Sequence, residues 1–332
     1  MSTVYGPVPS WRLGRSLGID VLLPPKKCTF NCVYCQLGKT RVQVSGPEML
    51  GETLVDVNEV IDDLDKILKR LDLDTVDVVT FSGTGEPTLN QRLGKIAQAV
   101  RERVSNLPLA VLTNSSLLHR VDVRQNLSQF DMVVAKLDAG DDDTFRAINR
   151  PVDNTLHIDR IVESIKRLKE VVRGTVALQV MLIHSEDGRI TNVMGKSLRN
   201  LIDAILDAKP DQVQLEVPYR PPSESVVKSP SKEKVEQIFN ELSRVFGVGK
   251  LWVYGLHDKR GRQVAWLSHE SLENEIIEML KRRPCRIIDV STSLGIDISM
   301  AESLLRKLRK NGSMVSEIVQ GEKYFSYKKR HS

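Results

Sequence analysis

Cys28-Thr29-Phe30-Asn31-Cys32-Val33-Tyr34-Cys35 sets three thiols into eight residues, spaced Cys-x3-Cys-x2-Cys. The chain of 332 residues holds four cysteines in all, so chance clustering of three is improbable, on the order of one in a thousand. Thiolate is a soft ligand that selects iron–sulfur clusters, zinc or copper(I) over hard cations. A structural zinc site wants a fourth ligand, and His119 and Cys285 are both remote in sequence. A four-iron cluster on three thiolates keeps one iron open for another ligand. A catalytic zinc with an open fourth position is the alternative reading.

Upstream of the thiols, residues 17–23 (LGIDVLL) predict a strand, stopped by Pro24-Pro25-Lys26-Lys27. Gly6-Pro7-Val8-Pro9 reads as irregular, and residues 11–16 as an approach loop. Arg12, Arg15, Lys26 and Lys27 surround the cysteine loop and read as solvated charges, with charges favouring an anionic substrate or a reduced cluster as the alternative.

Downstream, helical and strand patterns alternate. Helical spacing covers residues 57–73, 89–104, 121–127, 155–172 and 192–208. Apolar strand runs cover residues 76–81, 107–113, 132–137, 175–183 and 212–217. This order predicts an α/β fold with a parallel sheet and right-handed crossovers. Six strands suit a partial (β/α)6 barrel, and a doubly wound open sheet is the alternative.

In such folds the chemistry lies at the carboxyl ends of the strands. Ser82-Gly83-Thr84-Gly85-Glu86-Pro87-Thr88 follows the second strand, with glycines for close backbone approach and a carboxylate that can accept from an ammonium. Thr113-Asn114-Ser115-Ser116 follows the third, small polar groups suited to a ribose or to a turn. Lys136 and Asp138 share a face at the end of the fourth. On the fifth, Gln179 and Met181 share one face, as Gln214 and Glu216 do on the sixth. Polar groups within such apolar strands point to contacts in a barrel lumen. Asp141-Asp142-Asp143 reads as a helix cap. Arg150 and Arg220, in rigid proline loops, are candidates for an anionic group.

The cysteine spacing, followed in order by these motifs over residues 17–222, resembles the radical S-adenosylmethionine superfamily. The resemblance implies a 4Fe–4S cluster on Cys28, Cys32 and Cys35, with S-adenosylmethionine chelated to the open iron and cleaved to a 5′-deoxyadenosyl radical. It implies Tyr34 against the adenine and Gly83, Gly85 and Glu86 around the amino group, the family pattern being Gly-Gly-Glu-Pro, from which Thr84 departs. It also implies Lys136 and Asp138 at the carboxylate and ribose; Asn114 and Ser115, by their own chemistry, and Gln179 and Met181, by their place in the lumen, are further candidates for contact with the cofactor. SWRLGRSLGIDVLLPPKKCTFNCVYCQLG with VTFSGTGEPTLN is most similar to Fe–S oxidoreductases grouped with the archaeal wyosine-pathway enzymes. Those rebuild a methylguanosine of transfer RNA and carry a second cluster on upstream cysteines; this chain has no cysteine before Cys28.

Residues 223–266 read as a linker or bridging segment, with a helix at 231–246 and a strand at 251–255. Residues 267–332 read as an α+β unit: three helices, then a hairpin across 314–319 and 323–327, the pattern of a winged helix-turn-helix. Its third helix carries Arg306, Lys307, Arg309 and Lys310, and Lys328-Lys329-Arg330-His331 follows the hairpin, all suited to phosphate contact. Cys285 reads as a small core residue. A net charge of +5 allows nucleic acid as a partner without requiring it. No run of apolar residues reaches membrane-spanning length, no signal peptide opens the chain, and clustered cysteines favour a reducing cytoplasm.

Three functions are therefore expected. The first is a radical enzyme acting on a transfer RNA or other RNA base, in an anaerobic setting, with ferredoxin or flavodoxin as electron donor. The second is a peptide- or protein-directed enzyme of activase type, whose winged helix docks a partner. The third is a DNA-binding iron–sulfur redox sensor that does not turn over S-adenosylmethionine.

Overall fold

The computed structural model describes residues 1–51, 54–104 and 106–328; Lys329, Arg330 and His331 of the expected basic tail lie outside them. The chain opens with an antiparallel pair, β1 (Val4–Ser10) and β2 (Gly14–Ile19). This corrects the reading of residues 6–16 as irregular: β1 is an edge strand, where prolines are tolerated because one side needs no ladder hydrogen bonds. The short pair β3 (Lys27–Cys28) and β4 (Val42–Gln43) then brackets the cysteine loop.

Helix and strand alternate from there: α1 (Val57–Leu68), β5 (Val78–Phe81), α2 (Leu93–Arg103), β6 (Leu109–Thr113), α3 (Val121–Leu127), β7 (Met132–Lys136), α4 (Asp142–Ile148) and α5 (Ile158–Val171). Next come β8 (Thr175–Met181), β9 (His184–Ser185), α6 (Gly195–Ala208), β10 (Gln212–Glu216), β11 (Val227–Lys228), α7 (Lys232–Phe246) and β12 (Leu251–Val253). Local chemistry explains the boundaries. Asp56 caps α1 by accepting from the Glu59 amide, and Val60, Leu64 and Ile67 turn one face inward. Asp141 caps α4 through the Thr144 amide, as its acidic run implies. Every residue of β5 is buried, as a parallel strand covered on both faces requires.

The main sheet runs β1-β2-β5-β6-β7-β8-β10-β12, parallel except for β1. The sheet is curled. Five strand spacings separate β2 from β10, about 24 Å in a flat sheet. Yet Trp11 and Arg12, in the β1–β2 turn, donate to the Glu216 carboxylate on β10 at 3.1 and 3.3 Å. That closure sets aside the flat, doubly wound alternative. Within residues 223–266, read as a linker or bridging segment, β12 extends the sheet: buried Leu251 and Val253 place it in parallel register beside β10.

Three helices follow, α8 (Leu272–Arg282), α9 (Ile287–Leu294) and α10 (Ile298–Lys310), and then the hairpin β13 (Met314–Val319) and β14 (Glu322–Tyr327). Ile276, Met279, Val290, Leu305 and Leu308 form a second core there, with Cys285 inside it, and Tyr5 and Val8 of β1 join that core. Arg282 pairs with Asp20, just past β2, at 2.9 Å, with side chains 1% and 2% exposed. Arg70 pairs with Glu275 at 2.8 Å. The C-terminal helices thus pack directly on the open end of the sheet. No helix among the described residues is long and apolar enough to cross a membrane.

Candidate active site

The cysteine loop is fastened to other segments through backbone bonds. Glu86 N–H donates to the Lys27 carbonyl at 3.0 Å, Val33 N–H to Ile148 at 3.0 Å and Asn31 N–H to Asn149 at 3.1 Å. Close approach explains Gly85, where an added Cβ would lie 2.0 Å from the Lys27 oxygen. Gly83 abuts Asp20 in the same way. Thr84, the departure from the family pattern, is buried and donates its hydroxyl to Asp20 at 3.1 Å. Since Asp20 also pairs with Arg282, Thr84 links the glycine loop to the C-terminal helices.

Each of the three sulfurs has its own nitrogen donor. Lys26 Nζ reaches Cys35 Sγ at 3.1 Å, Asn114 Nδ2 reaches Cys28 Sγ at 3.5 Å and Asn149 Nδ2 reaches Cys32 Sγ at 3.6 Å. Burial, with Cys32 nearby, pushes the Cys28 thiol up to about 12, and burial, with Cys35 nearby, pushes Cys32 to about 11. As free thiols both hold their protons at neutral pH, so ligation releases protons. Burial disfavours the Lys26 ammonium, but the Cys35, Cys28 and Cys32 sulfurs more than offset it and hold Lys26 above its ordinary value. Hydrogen bonds to sulfur are a means of setting a cluster's potential. Among the described residues no three of His, Cys, Asp and Glu converge as ligands of a single metal ion would. A cluster with each thiolate on its own iron needs no such convergence.

Beside the loop lies Glu86, 2% exposed. It accepts from Thr113 Oγ1 at 2.7 Å, Thr88 Oγ1 at 2.7 Å and the Asn114 amide at 2.6 Å. Burial raises its carboxyl above the ordinary value, and those bonds offset part of the rise. No cation pairs with it among the described residues. A buried carboxylate with neutral donors and no counter-charge is suited to an ammonium. Asn114 joins this carboxylate to Cys28. Ser115 has φ +72° and a buried hydroxyl with no partner among the described residues, a second polar group left for a ligand.

Just past β7, Asp138 Oδ2 accepts from Tyr34 Oη at 2.5 Å and Asn149 Nδ2 at 2.8 Å. Its Oδ1 accepts from the Met181 amide at 2.8 Å, and Lys136 Nζ lies 3.6 Å away. Lys136 also stands over the Tyr34 ring, 4.9 Å from its centroid. Asp138 therefore has donors on both oxygens and acts on neighbours: it orients Tyr34 and Lys136. Gln179 donates to Glu216, whose carboxyl is disfavoured by burial but held below its ordinary value by Arg12 and Lys136.

Side chains from all six parallel strands β2 to β10 line one cavity of about 260 Å³, with Tyr34, Cys35, Lys136 and Met181 at one side. Gly83 reaches it as well, whereas Gly85 backs onto the cysteine loop. Two readings change here. Arg12 and Lys26 are buried in ion and sulfur contacts, not solvated. Arg150 is paired with Glu224 and is thereby neutralised. Thr113 is singled out from sequence with Asn114 and Ser115; the sulfur contact of Asn149 and the arginines Arg282 and Arg283 at the end of α8 are not, because a lone Asn or Arg outside a motif carries no pattern to mark it.

A family model described as the radical SAM superfamily matches residues 22–195, more than half of the chain. A UPF0026 protein of Synechocystis sp. is 36% identical over 218 residues, covering 66% of this chain and 76% of that protein. A UPF0026 protein of Methanocaldococcus jannaschii is 28% identical over 331 residues, covering 98% and 96%. A protein of Brachyspira hyodysenteriae named GTPase Obg is 32% identical over 321 residues, 96% of this chain. The chain spans only 44% of the length of that last relative.

Proposed function

Because the chain belongs to the radical SAM superfamily, and within it to the UPF0026 family, we propose that it abstracts a hydrogen atom from an RNA base. It is an enzyme that uses a 4Fe–4S cluster and S-adenosylmethionine. When bound, the two together supply an electron to the sulfonium and a 5′-deoxyadenosyl radical to the cavity.

In this reading Cys28, Cys32 and Cys35 hold the cluster, and Lys26, Asn114 and Asn149 keep a donor on each sulfur. Glu86 takes the amino group, the missing counter-charge of a buried carboxylate. Lys136 faces the carboxylate of the same ligand, Asn114 and Ser115 the ribose, and Tyr34, fixed by Asp138, the adenine. Gly83 gives the ligand close access to backbone, and Gln179 and Met181 form the wall behind it. The single observation that carries the cofactor reading is Glu86, buried and uncompensated, one side chain away from Cys28. A ferredoxin or flavodoxin provides the electron.

For the substrate, the C-terminal helices and hairpin are read as a winged helix that delivers nucleic acid. Arg306, Lys307, Arg309 and Lys310 are exposed along α10, as phosphate contact requires. A DNA-binding redox sensor has no use for a buried, unpaired Glu86. The protein-directed reading keeps one observation in its favour: Arg306 pairs with Glu302 and Lys307 with Glu273, which leaves less free charge for phosphates. Filter binding of total transfer RNA against salt separates the two. An RNA enzyme shows a steep salt slope that falls by about 2 when Arg309→Gln and Lys310→Gln are combined. Binding that ignores both changes, with one polypeptide co-purifying instead, supports the protein-directed enzyme.

A further inference from the structure

The charges around the cavity do not balance. Arg12 pairs with Glu216, Lys136 with Asp138, and Arg282 with Asp20 and Glu278. Arg220 and Arg283 line the same cavity and enter no ion pair among the described residues. Arg283 is 8% exposed, and the one hydrogen bond of its side chain among the described residues runs from Nη2 to the Pro9 carbonyl at 3.1 Å. Arg220 donates Nη1 to Gln36 at 2.9 Å and lies over the Tyr219 ring at 4.5 Å. The Nε of each is buried with no acceptor. Nearby carboxylates are already engaged: Asp289 takes both oxygens to Arg286, and Glu216 is held by Arg12, Trp11 and Gln179.

Asp289 and Glu216 act on Arg220 through space, as Asp289 does on Arg283, but neither arginine has a direct ion pair among the described residues. A guanidinium with a buried, unmatched Nε is costly, and its fork matches phosphate geometry. The geometry points to a phosphate site: Arg220 and Arg283 bind a phosphate group of the substrate, at the end of the cavity built by the C-terminal helices. Resting on the reading of this cavity as the substrate chamber, the inference gives the substrate a direction. Its phosphate lies between the loop after β10 and the end of α8, and its reacting part extends toward Tyr34 and Cys35, which line the same cavity. The C-terminal unit then supplies a substrate-binding residue besides any docking role.

The test uses the full chain with its cluster reconstituted and follows binding by calorimetry and thermal unfolding. Inorganic phosphate is the first probe. It is expected to bind the wild type and raise its melting temperature, with affinity falling about tenfold or more in Arg220→Met and in Arg283→Met. Without phosphate, each variant is expected to melt close to the wild type, because neither guanidinium enters a direct ion pair and each leaves its Nε unmatched; a purely structural arginine gives a clear loss. Adenosine monophosphate and transfer RNA, as competitors, distinguish a small nucleotide from an RNA phosphate as the source. Phosphate that leaves the wild type unchanged, acetate that binds as well as phosphate, or variants that bind phosphate like the wild type each overturn the inference. Formation of 5′-deoxyadenosine by wild-type protein is measured alongside, so that failure of the enzyme reading is seen separately.

Discussion

The Tyr34 hydroxyl donates to the Asp138 carboxylate at 2.5 Å, and both are buried. This bond ties the cysteine loop to the end of β7, and Asn149 and the Met181 amide complete the carboxylate's partners. Tyr34→Phe removes one donor and is expected to cost about 1.5–3 kcal/mol. Asp138→Ala leaves several buried donors and the Lys136 ammonium unmatched, and is expected to cost about 3–5 kcal/mol. Urea unfolding of the two variants measures both; equal, near-zero losses would contradict the network.

Glu86→Gln keeps the shape of the carboxylate and removes its charge. Without ligand, the variant is expected to be as stable as the wild type at neutral pH, since burial already disfavours the ionised form. Affinity for S-adenosylmethionine is expected to fall by about 2–5 kcal/mol, the scale of a truncated buried charge pair. Equilibrium dialysis with the labelled cofactor reads this directly.

The Arg282–Asp20 pair clamps α8 onto the sheet. Arg282→Met is expected to destabilise the chain by about 3–5 kcal/mol, because Asp20 is then buried without its partner. Adding Asp20→Leu to that variant is expected to restore part of the loss, since an apolar pair leaves no stranded charge. A double-mutant cycle by chemical denaturation gives the coupling.

Glu216 carries a pH signature. Burial works against its charge, but Arg12 and Lys136 hold its folded-state value below 4.5. The linked stability is therefore present above about pH 4.5 and lost as pH falls through the folded value. Arg12→Met is expected to shift the acid-unfolding midpoint upward, because the carboxyl then protonates more readily. A titration monitored by circular dichroism, in which both proteins unfold at one pH, would contradict this.

Much of this architecture is legible in local sequence. The cysteine spacing, the glycine loop and the alternation of helix with strand are short-range patterns, and the parallel strands from β5 to β10 and the capping role of Asp141 follow from them. Strand β1 is not legible, because Pro7 and Pro9 mark it as irregular and only its place at the edge, packed on α8 and α9, tolerates them. Arg12 reads as a solvated charge, and Arg282 and Arg283 are not marked at all, for a similar reason. Their partners, Glu216, Asp20 and the Pro9 carbonyl, stand more than 200 residues away in sequence, and no local pattern reports such burial.

The most direct test of the cofactor chemistry is anaerobic reconstitution with iron and sulfide, followed by dithionite and S-adenosylmethionine, with 5′-deoxyadenosine as the product measured. The wild type is expected to bind about four irons per chain and to form 5′-deoxyadenosine, and Cys32→Ala to lose both. A wild-type protein that takes up a full cluster and forms no 5′-deoxyadenosine would contradict the account.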